Sequence, residues 1–289
     1  MKVAIIGGSG RMGRWFADLL LKDGKEVVIS GRNEPKLLEA GRQLGVEVGS
    51  NVEAIKRADA VLLSVPLESL EQVAAEIAPY ITPGQVIVDI TSTKARPVAI
   101  MHKYLGAARV LGAHCLFGPG AKGLAHQNFV LTPTDDAERA LAQEVRAYLE
   151  ARGARVTLMS PEEHDGMMTI ILGLAHYIAI VSADTLLSGD KLKQMQAIGG
   201  ITYKVLMTLV ESVISEDPEL YASLQMSLPG VAQAEEAFQQ RAREWTELVK
   251  TGDRPEFVRR MKALKAKLEA QDSDLGRAYD NMYRIVEGL

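Results

Sequence analysis

An apolar run, Val3-Ala4-Ile5-Ile6, leads into Gly8-Ser9-Gly10-Arg11-Met12-Gly13, and a helical pattern, Trp15-Phe16-Ala17-Asp18-Leu19-Leu20, follows at once. A second apolar run, Val27-Val28-Ile29, then ends in Ser30-Gly31-Arg32. Strand, glycine-rich turn, helix and strand in this order form a βαβ unit whose first turn offers backbone N–H groups to an anion. Glycine makes the tight turn and lets the backbone approach phosphate oxygens where a Cβ would stand in the way. The group expected there is a dinucleotide pyrophosphate, bordered by Gly8, Ser9, Gly10, Arg11, Met12 and Gly13.

The end of the second strand selects the dinucleotide. An Asp or Glu there would accept hydrogen bonds from a ribose 2′-OH, and would repel a 2′-phosphate. This chain has Ser30, Gly31, Arg32 and Asn33 instead. A guanidinium grips phosphate through two parallel donors, so the expected cofactor is NADP, with Arg32 as clamp and Ser30 as second donor. The competing reading of Arg32 is a solvated loop arginine.

Up to residue 160, short β-branched runs alternate with helical patterns. Strands are expected at 60–66, 85–90, 109–113, 128–131 and 155–158, with helices near 35–44, 69–78 and 136–152. Such alternation specifies a doubly wound parallel sheet with ligands at the carboxyl ends of its strands. From 161 to 289 helical periodicity dominates, over 161–187, 191–215, 217–250, 255–270 and 275–288. The expected fold is α/β, a Rossmann-type domain at 1–160 followed by an all-helical domain at 161–289.

Residues 166–183 carry no Asp, Glu, Lys or Arg, nearly the length of a membrane span. Glu162, Glu163 and Asp165 crowd the start, and Thr169, His176, Tyr177 and Ser182 interrupt the apolar character. A helix apolar on most faces is more often buried in a core or a subunit interface, so a homodimer through the helical half is expected. The net charge of −4 argues against nucleic acid or anionic membranes as partners. The single cysteine, Cys115, permits no intrachain disulfide, and a cytoplasmic setting without a signal peptide is expected.

Candidate chemistry lies in the loops after the later strands: Ser64-Val65-Pro66, Asp89-Ile90-Thr91-Ser92-Thr93-Lys94, and His114-Cys115-Leu116-Phe117-Gly118-Pro119. A histidine at the strand edge facing a nicotinamide has an unperturbed pKa near ~6.5, suited to taking a proton from a substrate hydroxyl. The alternative for His114 is a capping or structural role. A Cys115–His114 dyad is excluded, because neighbours on an extended segment point to opposite faces. His164 and His176 lie about 18 Å apart along one helix at ~1.5 Å per residue, so they share no metal, and no spacing resembles a zinc site.

These segments, together with His164-Asp165, Gly173-Leu174-Ala175-His176 and Asp217-Pro218-Glu219-Leu220-Tyr221-Ala222, resemble the prephenate dehydrogenase family in its single-function archaeal form. The resemblance implies a tyrosine-pathway oxidoreductase that oxidises a ring carbinol by hydride transfer and releases the ring carboxylate as CO₂. It implies that His114 accepts the hydrogen bond of the ring hydroxyl, that Ser92 holds that imidazole, and that His176 binds substrate. One departure stands out. The arginine that the family usually places six residues before the Asp-Pro proline, as a carboxylate ligand, is Ser212 here, and Lys204 is the nearby cation on the same helical pattern. Two other readings stay open: a related NADP-dependent oxidoreductase acting on another hydroxy acid, cyclic alcohol or imine, favoured by Ser212; and a non-catalytic NADP-binding sensor, which would need none of Ser92, His114 or His176.

Overall fold

Alternate residues of the first strand feed two different cores, and the architecture follows from that. In the computed structural model, which describes residues 1–288, the first unit contains β1 (Lys2–Ile6), α1 (Arg11–Lys22), β2 (Glu26–Ser30), α2 (Glu34–Leu44), β3 (Glu47–Val48), α3 (Asn51–Lys56), β4 (Ala60–Leu63) and α4 (Leu67–Ile77). It continues through β5 (Val86–Asp89), α5 (Ala95–Leu105), β6 (Arg109–Cys115), β7 (Asn128–Thr132), α6 (Asp136–Glu150), β8 (Arg155–Leu158) and α7 (Pro161–Met168). Ala4 and Ile6 join Val61, Leu63, Leu70, Ile87 and Met101 on one side of the sheet. Val3 and Ile5 join Phe16, Ile29, Leu37, Phe129 and Leu149 on the other. Burial on both faces is why these strands read as continuous apolar runs.

The eight strands run in the order β3-β2-β1-β4-β5-β6-β7-β8. In-register pairing puts Ile6, Leu63, Asp89 and Gly112 side by side. The loops after β1, β4, β5 and β6 therefore leave from one edge, where such folds hold their ligands.

One pairing departs from the expected all-parallel sheet: β6 and β7 are antiparallel. Residues 116–127 contain no helix. A parallel return needs a crossover connection, and a helix-free return can run directly back beside its neighbour. Three elements escaped the sequence reading: β3, α3 and α5. Ser50 and Glu53 start α3 with a capping box.

The compact first unit runs from Met1 to Met168, and the second begins at Thr169. The expected division at 160 differs from this one by α7, which Asp165 ties to the first unit by accepting the backbone N–H groups of Lys94 and Ala95. The second unit is helical throughout its described residues, with a π-helical turn over Thr169–Leu174, α8 (Ala175–Leu187), α9 (Leu192–Ile198), α10 (Ile201–Ile214), α11 (Pro218–Ser227), α12 (Val231–Thr251), α13 (Arg254–Glu269) and α14 (Ala278–Glu287). The helix expected at 191–215 breaks at Gly199-Gly200, and that expected at 217–250 breaks at Pro229-Gly230, where Gly230 has φ +74°. Ala183, Met207 and Val210 form its small core with Leu186, Leu192, Tyr203 and Leu206. Pro161–Leu187 is long and apolar enough to cross a membrane by length and composition, with a mean hydropathy of 1.8 over its most apolar 18 residues.

Candidate active site

At the head of α1, Gly7 takes φ +86°, and a Cβ there would fall 2.0 Å from the Ser64 carbonyl oxygen. Gly7 and Gly8 donate their N–H groups to the Ser30 carbonyl at 3.0 and 2.9 Å, clamping the turn to β2. A Cβ on Gly13 would stand 2.4 Å from the Gly7 carbonyl, so only glycine lets α1 pack this closely on the turn. The N-cap, Gly10, carries no side chain to satisfy the first amides, and the first turn holds no acidic residue. The result is a bare, positively polarised helix end, which fits the dinucleotide expected from the sequence. Ser9 lies against Gly31, Met12 packs at the edge of the core, and Arg11 is exposed. Ser64 and Val65 border Gly7, and Pro66 leads into α4.

The two residues expected to read a 2′-phosphate part company here. Arg32 is exposed just past β2, beside Asn33, which caps α2 by accepting the Lys36 N–H. Ser30 is fully buried and its hydroxyl donates to Asn51 Oδ1 at 2.8 Å. The role of second donor assigned to Ser30 is corrected accordingly: its hydroxyl is spent inside the protein.

The ends of β5 and β6 meet over a buried lysine. Lys94 is fully buried, and its ammonium pairs with the Asp89 carboxylate and donates to the Ala113 carbonyl at 2.7 Å. Burial pushes the Lys94 ammonium below its ordinary value, opposed chiefly by Asp89. Asp89 also accepts the Thr91 N–H and hydroxyl, both at 3.0 Å, which folds the loop carrying Ser92 back on the strand. Ser92 itself is half-buried.

His114, near the end of β6, is 4% exposed. Its Nδ1 lies 2.8 Å from Nε2 of His164, with the rings edge to face. His164 is fully buried, and its Nδ1 is 2.7 Å from the Asp165 carboxylate. Burial raises Asp165, but hydrogen bonds from His164, Ala95 and Lys94 hold its carboxyl below the ordinary range. Burial, then the Lys94 charge and His164, put His114 well below the usual histidine value, so the imidazole is neutral at pH 7. Cys115 faces the opposite core, and burial raises its thiol to about 11, which makes it inert. His164 and Asp165 have no part in the sequence-derived site. Their adjacency at the start of a helix was the available signal, but their partners lie 50 and 71 residues away.

Within the second unit, His176 is half-buried on α8, its ring packed edge to face with Tyr221 at a centroid separation of 4.8 Å. Its Nδ1 is buried without a partner, and burial pulls its value down. Gln225 donates to the Gly173 carbonyl at 2.9 Å and leaves its own Oε1 unpartnered. Lys204 and Ser212 are both exposed on α10, and the Ser212 hydroxyl turns back to the Leu209 carbonyl at 2.8 Å.

A glycine-headed, doubly covered and mainly parallel sheet followed by a helical unit defines a two-domain nucleotide-binding protein. The prephenate dehydrogenase nucleotide-binding domain matches residues 16–158, and the prephenate dehydrogenase dimerization domain matches residues 160–263. The chain belongs to the prephenate dehydrogenase family. It is 34% identical over 267 residues to a probable arogenate/prephenate dehydrogenase of Methanocaldococcus jannaschii, covering 91% of this chain and 60% of that protein. It is 29% identical to a T-protein of Enterobacter agglomerans, covering 89% of this chain and 64% of that protein. The chain thus spans about three fifths of the length of these curated relatives. Its fold matches Aquifex aeolicus prephenate dehydrogenase, solved with hydroxyphenyl propionate and NAD⁺, with a TM-score of 0.77 at 24% identity over 94% of this chain and 98% of that one.

Removing the Lys94 ammonium alone strands the buried Asp89 carboxylate. Lys94→Met is expected to cost about 3–5 kcal/mol in urea melts, and adding Asp89→Leu to recover most of that loss. A single variant as stable as wild type would show that the pair holds nothing together.

Proposed function

We propose that this protein is a nicotinamide-dependent dehydrogenase of prephenate or arogenate that prefers NADP. The observation that carries the reading is a neutral, buried imidazole, His114, on the same sheet edge as the bare N-terminus of α1. Gly8, Ser9, Gly10, Arg11, Met12 and Gly13 would hold the pyrophosphate, with Ser64, Val65 and Pro66 beside it, and Arg32 would grip the 2′-phosphate. When bound, the nicotinamide supplies the two-electron oxidant that takes the carbinol hydrogen as hydride.

The protein's own work is to manage the hydroxyl proton. His114 accepts it as the carbinol carbon becomes a carbonyl, and Ser92 hydrogen-bonds the same oxygen or the imidazole. The ring carboxylate then leaves as CO₂; the electron pair of the broken C–C bond makes the ring aromatic, and the oxygen takes its proton back. His176 would bind substrate through its unspent nitrogen. Ser212 has no charge for a carboxylate, so that task would fall to Lys204. The apolar residues Ile170, Ile171, Val181 and Leu187, exposed at 42–58%, support a homodimer formed by the second unit.

Three measurements test this. Purified protein given prephenate should reduce NADP⁺ more efficiently than NAD⁺, and Arg32→Asp should lower kcat/KM for NADP⁺ by roughly 10- to 100-fold, the worth of a charge-assisted pair. A wild-type preference for NAD⁺ would overturn the assignment of Arg32. His114→Asn should lose about 10²–10⁴-fold in kcat with cofactor affinity kept, whereas Lys204→Met should raise the KM for prephenate with kcat kept. Unchanged turnover in His114→Asn would remove that residue from the chemistry. Sedimentation at micromolar concentration should give twice the 31.4 kDa chain mass; a monomer at all concentrations would end the dimer reading.

A further inference from the structure

His114 can serve as an acceptor only if one particular nitrogen is bare, and the residues behind it determine which. Asp165 takes the backbone N–H groups of Lys94 and Ala95 at 2.7 and 2.9 Å, and its carboxyl stays ionised at neutral pH. An ionised carboxylate only accepts, so the proton between it and His164, 2.7 Å away, sits on His164 Nδ1. His164 is fully buried, and the Lys94 ammonium already occupies the same interior. An imidazole that carries its proton on Nδ1 keeps a lone pair on Nε2. That lone pair faces His114 Nδ1 at 2.8 Å, and one of the two nitrogens must donate. The donor is then His114 Nδ1–H, which leaves His114 Nε2 unprotonated.

We propose that Asp165 and His164 are positioning residues: they hold His114 in the tautomer protonated on Nδ1, so that Nε2 is the atom that accepts the substrate's hydroxyl proton. This rests on the dehydrogenase reading for its chemistry, but not for its geometry. During the step, the substrate O–H bond breaks as the Nε2–H bond forms. His114 becomes an imidazolium whose Nδ1–H still points at His164, and the Asp165 carboxylate behind His164 offsets the new charge. The proton returns from Nε2 to the product oxygen, so the three side chains end as they began. Other charged groups around the relay are Lys94, whose ammonium donates to the carbonyl of Ala113, and Asp89, which pairs with Lys94.

The decisive measurement needs neither substrate nor turnover. Histidine ¹⁵N shifts of the folded protein distinguish the two neutral tautomers, and among the five histidines the His114 signals are identified by their loss in His114→Asn. His114 protonated on Nδ1 is the expected result; protonation on Nε2 would overturn the proposal even if prephenate is turned over. Absence of dehydrogenase activity with the expected tautomer would instead sink the functional reading and leave the relay standing. Kinetics add a second arm. His164→Phe should lower kcat about a hundredfold while KM for the cofactor stays within about twofold, and His164→Gln, whose amide oxygen can still accept from His114 Nδ1, should recover to within about tenfold of wild type. Equal kcat in all three proteins would refute the positioning role. Should His164→Phe fail to fold, the wild-type tautomer decides alone.

Discussion

One buried ion pair holds the working end of the first unit in shape. A lysine with no solvent contact loses its hydration, and only close partners make that tolerable. Lys94 has them: the Asp89 carboxylate at the end of β5 and the Ala113 carbonyl on β6. The ladder between β5 and β6 stops at Gly112, while the pairing of β6 with β7 runs on to Cys115. Ala113 therefore lies beyond its last β5 partner, and the Lys94 ammonium supplies a donor there. The same residue's backbone N–H anchors Asp165, which anchors His164, which contacts His114. Loop, helix α7 and the His114 imidazole are thus one connected assembly, with a charge at its centre.

The antiparallel strand β7 has a related effect. Had β6 been followed by another crossover helix, His114 would have ended a short strand with a mobile loop after it. Instead its backbone pairs with Val130 and that of Cys115 with Phe129. The imidazole sits on a rigid element, fixed by β7 in the main chain and by His164 at its ring. Rigid placement of this kind keeps a reacting group within the small tolerance that proton transfer demands.

Much of this was legible from sequence because it depends on near neighbours. The glycine turn, the strands β1, β2 and β4 to β8, and the switch to helical periodicity are local patterns of apolar spacing. Helix α5 was not, since Pro97 and the apolar stretch Val98–Met101 resemble a loop followed by a strand until packing against α4 is known. The antiparallel β7 was hidden for a different reason: direction depends on whether the 116–127 connection crosses over. Ser30 shows the limit of register. The apolar run Val27-Val28-Ile29 placed it at the right strand end, but only the partnership with Asn51 reveals that its hydroxyl points inward. The relay was the least legible feature. His164 meets His114 across 50 residues of chain, a pairing that no spacing rule encodes.

An imidazole held well below its ordinary value looks ill-suited to be a base, since a weak base gives up driving force for proton removal. The proposed chemistry resolves the difficulty. Oxidation and loss of CO₂ together release no net proton: the hydroxyl hydrogen leaves oxygen as the carbonyl forms and returns when the ring becomes aromatic. A strong base would hold that proton and stall the second half of the reaction. A desolvated histidine stays neutral between turnovers, takes the proton only while hydride departure makes the hydroxyl acidic, and releases it readily. Desolvation by burial and repulsion from Lys94 lower its affinity for the proton, while the distant Asp165 carboxylate, acting through His164, keeps the transient cation from becoming prohibitive. In the proposed chemistry, the same buried lysine that fixes the geometry would therefore also keep the base reversible.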